Sequence, residues 1–275
     1  MTRALILAAG RGERMRPLTD VTPKPLLQVQ GKPLMQWPLE ALARGGFFDV
    51  VVNTAWLGEV IVQTFGTSFL ASGREIEAQT GNLPPANRHP LNLPLPNTQP
   101  PIPPPIATRI TYSHEADDFG GALETAGGVA RVLPSLGEVF WVLAGDVFAP
   151  DFEFTQGAVE RFKRSGNLAQ LWLVPNPDHN PGGDFGLSAD GRALNWPKGS
   201  ATPMYTYSTL GLFHRDFFSP PFCSIPAGNP SGIKAPLLPL MRSGMDAGRV
   251  SAEIYQGRWT DVGTPERLQQ LNQVA

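Results

Sequence analysis

The first residues of the chain constrain its fold most strongly. An apolar run at residues 4–9 is followed at once by Gly10-Arg11-Gly12. Six apolar residues ending at a glycine turn are typical of a buried β-strand that reaches the edge of a sheet. The run is too short for the core of a signal peptide or for a membrane span. We therefore expect the chain to begin with the first strand of a sheet.

Apolar runs rich in β-branched residues alternate with helical patterns along the first two thirds of the chain, as in parallel sheets covered by helices. We predict strands at 4–9, 49–53, 109–112, 139–144 and 168–174, and helices at 34–44, 57–65, 123–133 and 154–164. Later residues indicate strands at 186–187, 193–196, 205–213 and 250–255 and a helix at 237–247. The predicted fold is α/β, with a Rossmann-like mixed, mostly parallel central sheet flanked by helices.

Length and composition favour one domain over residues 1–275, since 275 residues with 41% hydrophobic content can bury one substantial core. Residues 84–105 include ten prolines, so we expect a proline-rich surface insertion at 81–108. It could be a docking segment, a flap or a tolerated excursion. The single cysteine, Cys223, excludes an internal disulfide and points to a reducing compartment.

Positive charge is concentrated at the N-terminal end, although the whole chain has a net charge of -2. Residues 1–32 contain six Lys or Arg and only two Asp or Glu. Backbone N–H groups at a glycine turn can approach phosphate oxygens, which nearby cations neutralise. With 22 Lys and Arg in all, the chain is not typical of a nucleic-acid binder. A small anionic ligand is favoured.

The residues after the turn make this motif more specific. Met15 stands where a dinucleotide fingerprint has its third glycine, and no Gly-Lys-Ser/Thr follows as in a P-loop. Arg14 and the sequence Pro-Lys-Pro at 23–25 follow instead. This combination resembles the sugar-1-phosphate nucleotidyltransferases. The resemblance implies a GT-A-like nucleotidyltransferase fold, catalytic roles for Arg14 and Lys24, and contacts to the nucleotide from Ala8, Ala9, Gly10 and Gly12.

Two downstream aspartates fit a metal site. Asp146 follows the strand predicted at 139–144, and Asp261 lies in a turn before the last helix. An aspartate in either place is also common as a helix cap or turn former. Mg²⁺ prefers oxygen ligands and bridges phosphate oxygens. Both residues match the metal-binding aspartates of the family, so the resemblance implies that Asp146 and Asp261 hold Mg²⁺.

Residues 123–128 open a predicted helix with two glycines. The resemblance places this segment in the nucleotide pocket, with contacts from Glu124, Thr125 and Gly127. Glu115 is expected at the edge of the base, and the alternative is a structural carboxylate.

Three further segments, 53–58, 183–185 and 257–268, resemble the N-acetylmuramate-1-phosphate uridylyltransferases that recycle cell-wall peptidoglycan sugars. This implies sugar contacts from Asn53 and Asp184 and an apolar wall from Trp56. Lys234 matches a lysine of that group and either reaches the sugar phosphate or is solvated. The four histidines lack the spacing of metal ligands, so no role is assigned to them.

The expected reaction is uridylyl transfer from UTP to a sugar-1-phosphate, with N-acetylmuramate 1-phosphate favoured, Mg²⁺ as cofactor and pyrophosphate as the second product. Two alternatives stay open. One is an enzyme of the same type acting on mannose-, glucose- or heptose-1-phosphate with UTP, GTP or dTTP, and the other is a non-catalytic sugar-nucleotide sensor. We expect small-molecule substrates, no nucleic-acid or membrane partner, a monomer or small homo-oligomer, and a cytoplasmic location.

Overall fold

The computed structural model describes residues 2–70, 106–197, 199 and 202–273. The strands are β1 (Arg3–Ala8), β2 (Gln28–Val29), β3 (Lys32–Pro33), β4 (Asp49–Thr54), β5 (Ser68–Phe69), β6 (Thr108–His114), β7 (Val139–Ala144), β8 (Val147–Phe148), β9 (Ala169–Val174), β10 (Phe185–Leu187), β11 (Ala193–Leu194), β12 (Met204–His214), β13 (Val250–Ile254) and β14 (Thr260–Asp261). The α-helices are α1 (Leu18–Val21), α2 (Gln36–Arg44), α3 (Gly58–Phe65), α4 (Glu115–Phe119), α5 (Glu124–Val132), α6 (Gln156–Ser165), α7 (Leu238–Asp246) and α8 (Pro265–Gln273).

The main sheet is mixed, and its centre is parallel. Its order is β11-β10-β12-β7-β1-β4-β6-β5, and β9 joins β12 to β13. Strand β1 lies between β7 and β4 and is parallel to both. Strand β12 runs antiparallel to β7 and extends the sheet on that side. The predicted fold class is confirmed, including the antiparallel extension.

Helices cover both faces of this sheet, as the buried apolar residues show. On one face Trp141 of β7 packs against Phe47, Phe154 and Trp172, with Leu39 of α2 in the same cluster. On the other face α5 and α7 contribute a second cluster, which contains Val129, Met241, Leu5 and Phe213. Because both faces are covered, the carboxyl ends of the central strands are left as the open edge.

Most element bounds agree with the sequence prediction to within two residues, and β7 agrees at both ends. Helix α4 and the short strands β8 and β14 were not predicted, since two to five residues carry no readable periodicity. The helix predicted at 237–247 is confirmed to within one residue as α7, and Lys234 lies in the loop that precedes it. Most of the proline-rich insertion lies outside the described residues, and Thr108 at its predicted end already belongs to β6. No helix in the described part of the chain is long and apolar enough to cross a membrane.

Candidate active site

A cavity of about 700 Å³ lies at the carboxyl ends of β1, β4 and β7. Ligands of α/β sheets bind at this edge because the loops that follow parallel strands converge there. The other walls come from the start of α5, from β12 and from the start of α7. The cavity brings together these predicted site residues: Ala8, Ala9, Gly10, Gly12, Lys24, Asn53, Glu124, Thr125 and Asp146.

The glycine turn after β1 is folded around Lys24. Gly12 has a φ of +69°, in the left-handed region that favours glycine. Its carbonyl oxygen accepts hydrogen bonds from the Thr19 hydroxyl and from the Met15 N–H, both at 2.9 Å. A Cβ at this position would lie 3.1 Å from Thr19 and 3.3 Å from the Lys24 side chain. The Lys24 side chain therefore packs against the backbone of the glycine turn.

Lys24 and Asp146 form an ion pair through Nζ and Oδ2. The parallel register places Leu7 opposite Ala144, and the Gly145 N–H donates to the Leu7 carbonyl at 2.8 Å. The residue that follows β7 by two positions therefore faces the glycine turn. Lys24 is only 8% exposed, so solvent screens its charge little. The side chain of Asp146 is 36% exposed and lines the cavity.

The backbone of Asp261 lies beside that of Asp146. Strand β14 pairs with β8, with Asp261 opposite Val147, and the Val262 N–H donates to the Asp146 carbonyl at 3.0 Å. Residues 115 positions apart in the sequence thus lie on adjoining backbone segments, as the predicted metal site requires. Val262 is fully buried in a cluster with Met15, which links this segment to the glycine turn.

Two cationic or potentially cationic side chains contact the Asp261 carboxylate. Arg267 of α8 donates from Nη1 to Oδ1, and His179 Nε2 lies 2.8 Å from the same oxygen. Neither residue was among the predicted site residues. Arg267 falls within the segment 257–268 that carries the resemblance, so its place there was an available signal. His179 has no sequence signal, because its loop reaches Asp261 only through the tertiary fold.

The donor set suits Mg²⁺ bound together with phosphate. Asp146 and Asp261 offer carboxylate oxygens from adjoining segments, whereas no group of three or more His, Cys, Asp or Glu residues with metal-site geometry occurs among the described residues. Mg²⁺ commonly takes one or two carboxylates and completes its octahedron with water and substrate phosphates. The two aspartates therefore fit this metal with substrate present better than they fit a closed protein site.

Asn53 and Glu115 form a buried polar pair behind the cavity. The Asn53 side-chain amide donates to Glu115 Oε1 at 2.7 Å, and its oxygen accepts the Ala8 N–H at 2.9 Å. Glu115 is fully buried, and its other oxygen accepts the Leu123 N–H at 2.7 Å. Burial raises the pKa of the Glu115 carboxyl, and these hydrogen bonds and the charge of Arg131 offset part of the rise. The pair ties β1 and β4 to the start of α5, and contacts of Glu115 with a base and of Asn53 with a sugar stay predictions.

The start of α5 enters the cavity through Glu124 and Thr125. Glu124 has a φ of +59°, an uncommon value for a residue with a side chain, at the point where the chain turns into the helix. Gly127 is buried, and a Cβ there would lie 2.4 Å from the Ile233 carbonyl oxygen. The structure thus gives Gly127 a packing reason for its small size, and contact with the nucleotide stays a prediction.

Trp56 and Arg14 lie near the glycine turn. The Trp56 ring N–H donates to the Thr19 carbonyl at 2.8 Å, and the Arg11 guanidinium lies 3.8 Å from the centre of the ring. Trp56 therefore lies beside the glycine turn, and its contact with the sugar stays a prediction. Arg14 is exposed and has no hydrogen-bond or ion-pair partner within the described ranges, so its guanidinium is available to an incoming anion.

Asp184 supports the strand that forms one cavity wall. Its Oδ2 accepts the Tyr207 N–H at 2.9 Å, and its Oδ1 accepts from the Asn180 side chain at 3.2 Å. Tyr207 lines the cavity, whereas Asp184 lies one layer behind it. Its proposed contact with the sugar is therefore also a prediction that the fold leaves open.

Thr209 is a cavity residue that sequence reasoning missed. The pairing of β12 with β9 shifts register between Tyr207 and Gly211, and Thr209 in this bulge has a φ of +64°. Positive φ is strongly disfavoured for β-branched residues, and such strain concentrates at functional sites. The Thr209 hydroxyl is buried without a hydrogen-bond partner in the part of the chain that the structure describes. A bulge inside a strand with regular alternation carries no sequence signal.

Comparison with known proteins identifies the family. The family model described as nucleotidyl transferase matches residues 3–191. The N-acetylmuramate alpha-1-phosphate uridylyltransferase of Neisseria meningitidis serogroup B is 39% identical over 279 residues, which cover 99% of this chain and 98% of that protein. The chain belongs to the nucleotidyl transferase family. The expected enzyme class, sugar-1-phosphate nucleotidyltransferase, is confirmed.

More distant proteins are similar to this chain in sequence or in fold. The UTP–glucose-1-phosphate uridylyltransferase of Synechocystis sp. is 27% identical over 95% of this chain and 60% of its own length. A Bacillus anthracis protein proposed to be a glucose-1-phosphate thymidylyltransferase superposes with a TM-score of 0.71 at 20% identity, covering 100% of this chain and 95% of that one. HddC from Yersinia pseudotuberculosis, in a complex with GMP-PN, gives a TM-score of 0.64 at 16% identity, covering 100% and 99%. At these identities the solved structures support the fold alone.

Proposed function

We propose that this nucleotidyltransferase transfers a uridylyl group from UTP to N-acetylmuramate 1-phosphate and releases pyrophosphate. The observation that carries the proposal is the convergence of the glycine turn, Lys24 and Asp146 on one cavity, with Asp261 on the adjoining strand. The choice of UTP and of this sugar rests on the similarity, over nearly its whole length, to the Neisseria enzyme. Peptidoglycan recycling and a cytoplasmic location are part of the same proposal.

The chemistry needs alignment and charge neutralisation more than proton transfer. An oxygen of the sugar phosphate attacks the α-phosphorus of UTP, the bond from that phosphorus to the bridging β-oxygen breaks, and pyrophosphate leaves with the electron pair. The attacking phosphate is already an anion near neutral pH, so no general base is required. Catalysis then comes from positioning the two phosphates and stabilising the charge that develops between them.

Four charged residues in or beside the cavity have a place in this reaction. Lys24, held between Gly12 and Asp146, lies where it can draw the two mutually repelling phosphates together. Arg14 is exposed beside the turn and can neutralise the leaving pyrophosphate. Asp146 and Asp261 would hold Mg²⁺, which neutralises phosphate oxygens when it is bound.

The glycine turn and the apolar wall divide the cavity between the two substrates. Ala9, Gly10 and Gly12 line the cavity together with Lys24, and the backbone N–H groups of such a glycine turn can bind the oxygens of a triphosphate. The walls from β12 and α7 carry Tyr207, Thr209, Leu237 and Met241, which suit the methyl group of an N-acetyl substituent on a sugar. We therefore place the triphosphate at the turn and the sugar near β12 and α7.

The test is a matrix of UTP, GTP, dTTP and ATP against several sugar-1-phosphates, with and without Mg²⁺, measuring pyrophosphate release. N-acetylmuramate, N-acetylglucosamine, glucose and mannose 1-phosphates separate the candidate acceptors. We expect the highest kcat/KM for UTP with N-acetylmuramate 1-phosphate and no turnover without the metal. A higher kcat/KM for another pair would replace the proposed substrates, and the absence of pyrophosphate release with every pair would favour the sensor.

A further inference from the structure

We propose that Arg267 is an internal counter-ion that occupies the metal-binding oxygen of Asp261 until a metal–triphosphate complex arrives. The consequence is that the free enzyme binds divalent cations weakly by themselves. This inference rests on the proposed function for its metal site, but its test needs no turnover.

The contact between Arg267 and Asp261 is built into the fold. Arg267 Nη1 donates to Asp261 Oδ1, and the two side chains are only 14% and 24% exposed. Gly263 lies beside them, and a Cβ there would be 2.3 Å from Arg267 Nη2. The guanidinium therefore fills space that any larger residue at position 263 would take.

Helix α8, which carries Arg267, is anchored to the rest of the fold by other residues of the helix. The Asn272 side chain donates to the Gln28 carbonyl at 2.9 Å and accepts the Gln30 N–H at 2.7 Å. Leu268 and Leu271 pack against the cluster that contains Met15 and Val262. Because α8 is held in this way, the guanidinium of Arg267 stays within reach of Asp261.

Charge balance explains why the metal should arrive with phosphate. Lys24 pairs with Asp146 as Arg267 pairs with Asp261, so the four side chains sum to zero. A divalent cation alone would leave two positive charges in excess among groups that solvent screens poorly. The metal complex of a triphosphate is net negative, so Lys24 and Arg267 can turn to phosphate oxygens while the aspartates turn to the metal.

His179 supports the same arrangement. Its Nε2 lies 2.8 Å from Asp261 Oδ1 and 2.9 Å from Arg267 Nη1. The ring thus borders the one oxygen that both the arginine and the metal would use. A metal that displaces the guanidinium would meet an imidazole that is already in place beside the carboxylate.

The test measures Mn²⁺ binding by electron paramagnetic resonance, using the full chain with and without a non-hydrolysable UTP analogue. For Arg267→Gln without nucleotide we expect Mn²⁺ to bind at least about tenfold tighter than to the wild type, a gain of roughly 1.4 kcal/mol. With the analogue present the difference should shrink, because the wild-type arginine then has phosphate as a partner.

Two variants separate this role from a structural one. Gly263→Ala keeps the arginine but displaces its guanidinium, and its Cβ would also lie 3.0 Å from Asp261 Oδ2, so we expect Mn²⁺ binding to tighten by less than in Arg267→Gln. Arg258→Gln removes an exposed arginine paired with Asp151 and should leave Mn²⁺ binding unchanged. Circular dichroism and thermal melting confirm that each variant is folded.

The outcomes also distinguish this inference from the proposed function. Unchanged or weaker Mn²⁺ binding by folded Arg267→Gln overturns the counter-ion role, even if UTP is the substrate. Tighter binding supports it, even if the substrate matrix replaces UTP by another triphosphate.

Discussion

Glu115 Oε1 and Asn53 Nδ2 are 2.7 Å apart, and the space for this hydrogen bond exists because residue 128 has no side chain. A Cβ on Gly128 would lie 2.7 Å from the Glu115 oxygen and 2.9 Å from the Asn53 nitrogen. The glycine pair that opens α5 is therefore explained at this position by a buried polar pair. Because Asn53 also accepts the Ala8 N–H, the pair helps to set the end of β1 where the glycine turn begins.

Gly128→Ala should destabilise the protein by roughly 1–3 kcal/mol, the usual cost of inserting a methyl group into a packed interior. The measurement is urea unfolding. Gly182→Ala is the control, because a Cβ there meets nothing within 4 Å and its φ is not positive. Equal stabilities for the two variants would show that the Asn53–Glu115 pair can move aside freely.

Glu115 also predicts a dependence of stability on pH. Burial raises its pKa in the folded state, so the folded protein holds this proton more tightly than the unfolded chain does. The contribution to stability is present below the ordinary carboxyl pKa and is lost as the pH rises through the raised value. A variant without the Glu115 carboxyl group should not show this loss of stability with rising pH.

We expect Glu115→Gln to be less stable than the wild type, since an NH₂ group would replace one of the two oxygens that accept from Asn53 and Leu123 and would face a donor. The difference between the two free energies of unfolding should shrink as the pH rises from about 4 to about 7. Urea unfolding across this range checks it. A difference that is constant with pH would mean that Glu115 titrates as an ordinary carboxyl.

Asp146→Asn and Asp261→Asn should each lower kcat by on the order of 10² to 10³ or more while the protein stays folded, because each would remove a charged ligand from the Mg²⁺ that neutralises the reacting phosphates. Steady-state pyrophosphate release and thermal melting measure the two effects separately. Asp151→Asn is the matched control, because Asp151 pairs with Arg258 on the surface. A variant at 146 or 261 that melts early but turns over normally would assign that aspartate to structure.

Lys24→Ala is tested by the same kinetics, but we expect a different effect on kcat and on UTP binding. We expect slow turnover with a modest loss of UTP binding, since Lys24 is assigned to aligning two phosphates rather than to holding the nucleotide. The sequence motifs and the resemblance pointed to Lys24, Asp146 and Asp261, which the fold places on adjoining segments, and their roles stay predictions. The sequence could not predict Arg267 or His179, whose contacts with Asp261 depend on α8 and on a loop without periodic residues.

The same contrast holds for the fold. Strand β7 was predicted at both ends because six consecutive residues are apolar and bounded by turns. The β8–β14 pair, two residues on each side, joins segments that meet only after the sheet has formed. This strand pair brings the backbone of Asp261 next to that of Asp146. The sequence predicted that the two aspartates lie close together but not the strand pairing that places them there.

A variant of Asp184 can separate its structural role, which is to hold Tyr207 and Asn180, from a direct contact with the sugar. Asp184→Asn leaves one acceptor oxygen for two donors, Tyr207 N–H and the Asn180 amide, so we expect a loss of about 1 kcal/mol in stability. If the residue also contacts the sugar, KM for the sugar phosphate rises while KM for UTP does not. Kinetics with each substrate varied in turn measure this, with Asp190→Asn in an exposed surface turn as control. Equal changes in both KM values would leave Asp184 with a structural role only.

Thr209 yields the last prediction, because its buried hydroxyl has no partner among the described residues. Thr209→Val keeps the branched shape and removes the unpaired group, so stability should rise by roughly 1 kcal/mol. Since Thr209 lines the cavity, rotation about its Cα–Cβ bond would present the hydroxyl to the sugar phosphate, and the variant should then also raise KM for that substrate severalfold. Thr206→Val is the matched control on the same strand: its hydroxyl bonds Asn176 and Asn180 at 3.0 Å, so its removal should destabilise. If Thr209→Val loses stability as Thr206→Val does, the Thr209 hydroxyl has a hydrogen-bond partner in solution. The hydroxyl would then not be available to the substrate.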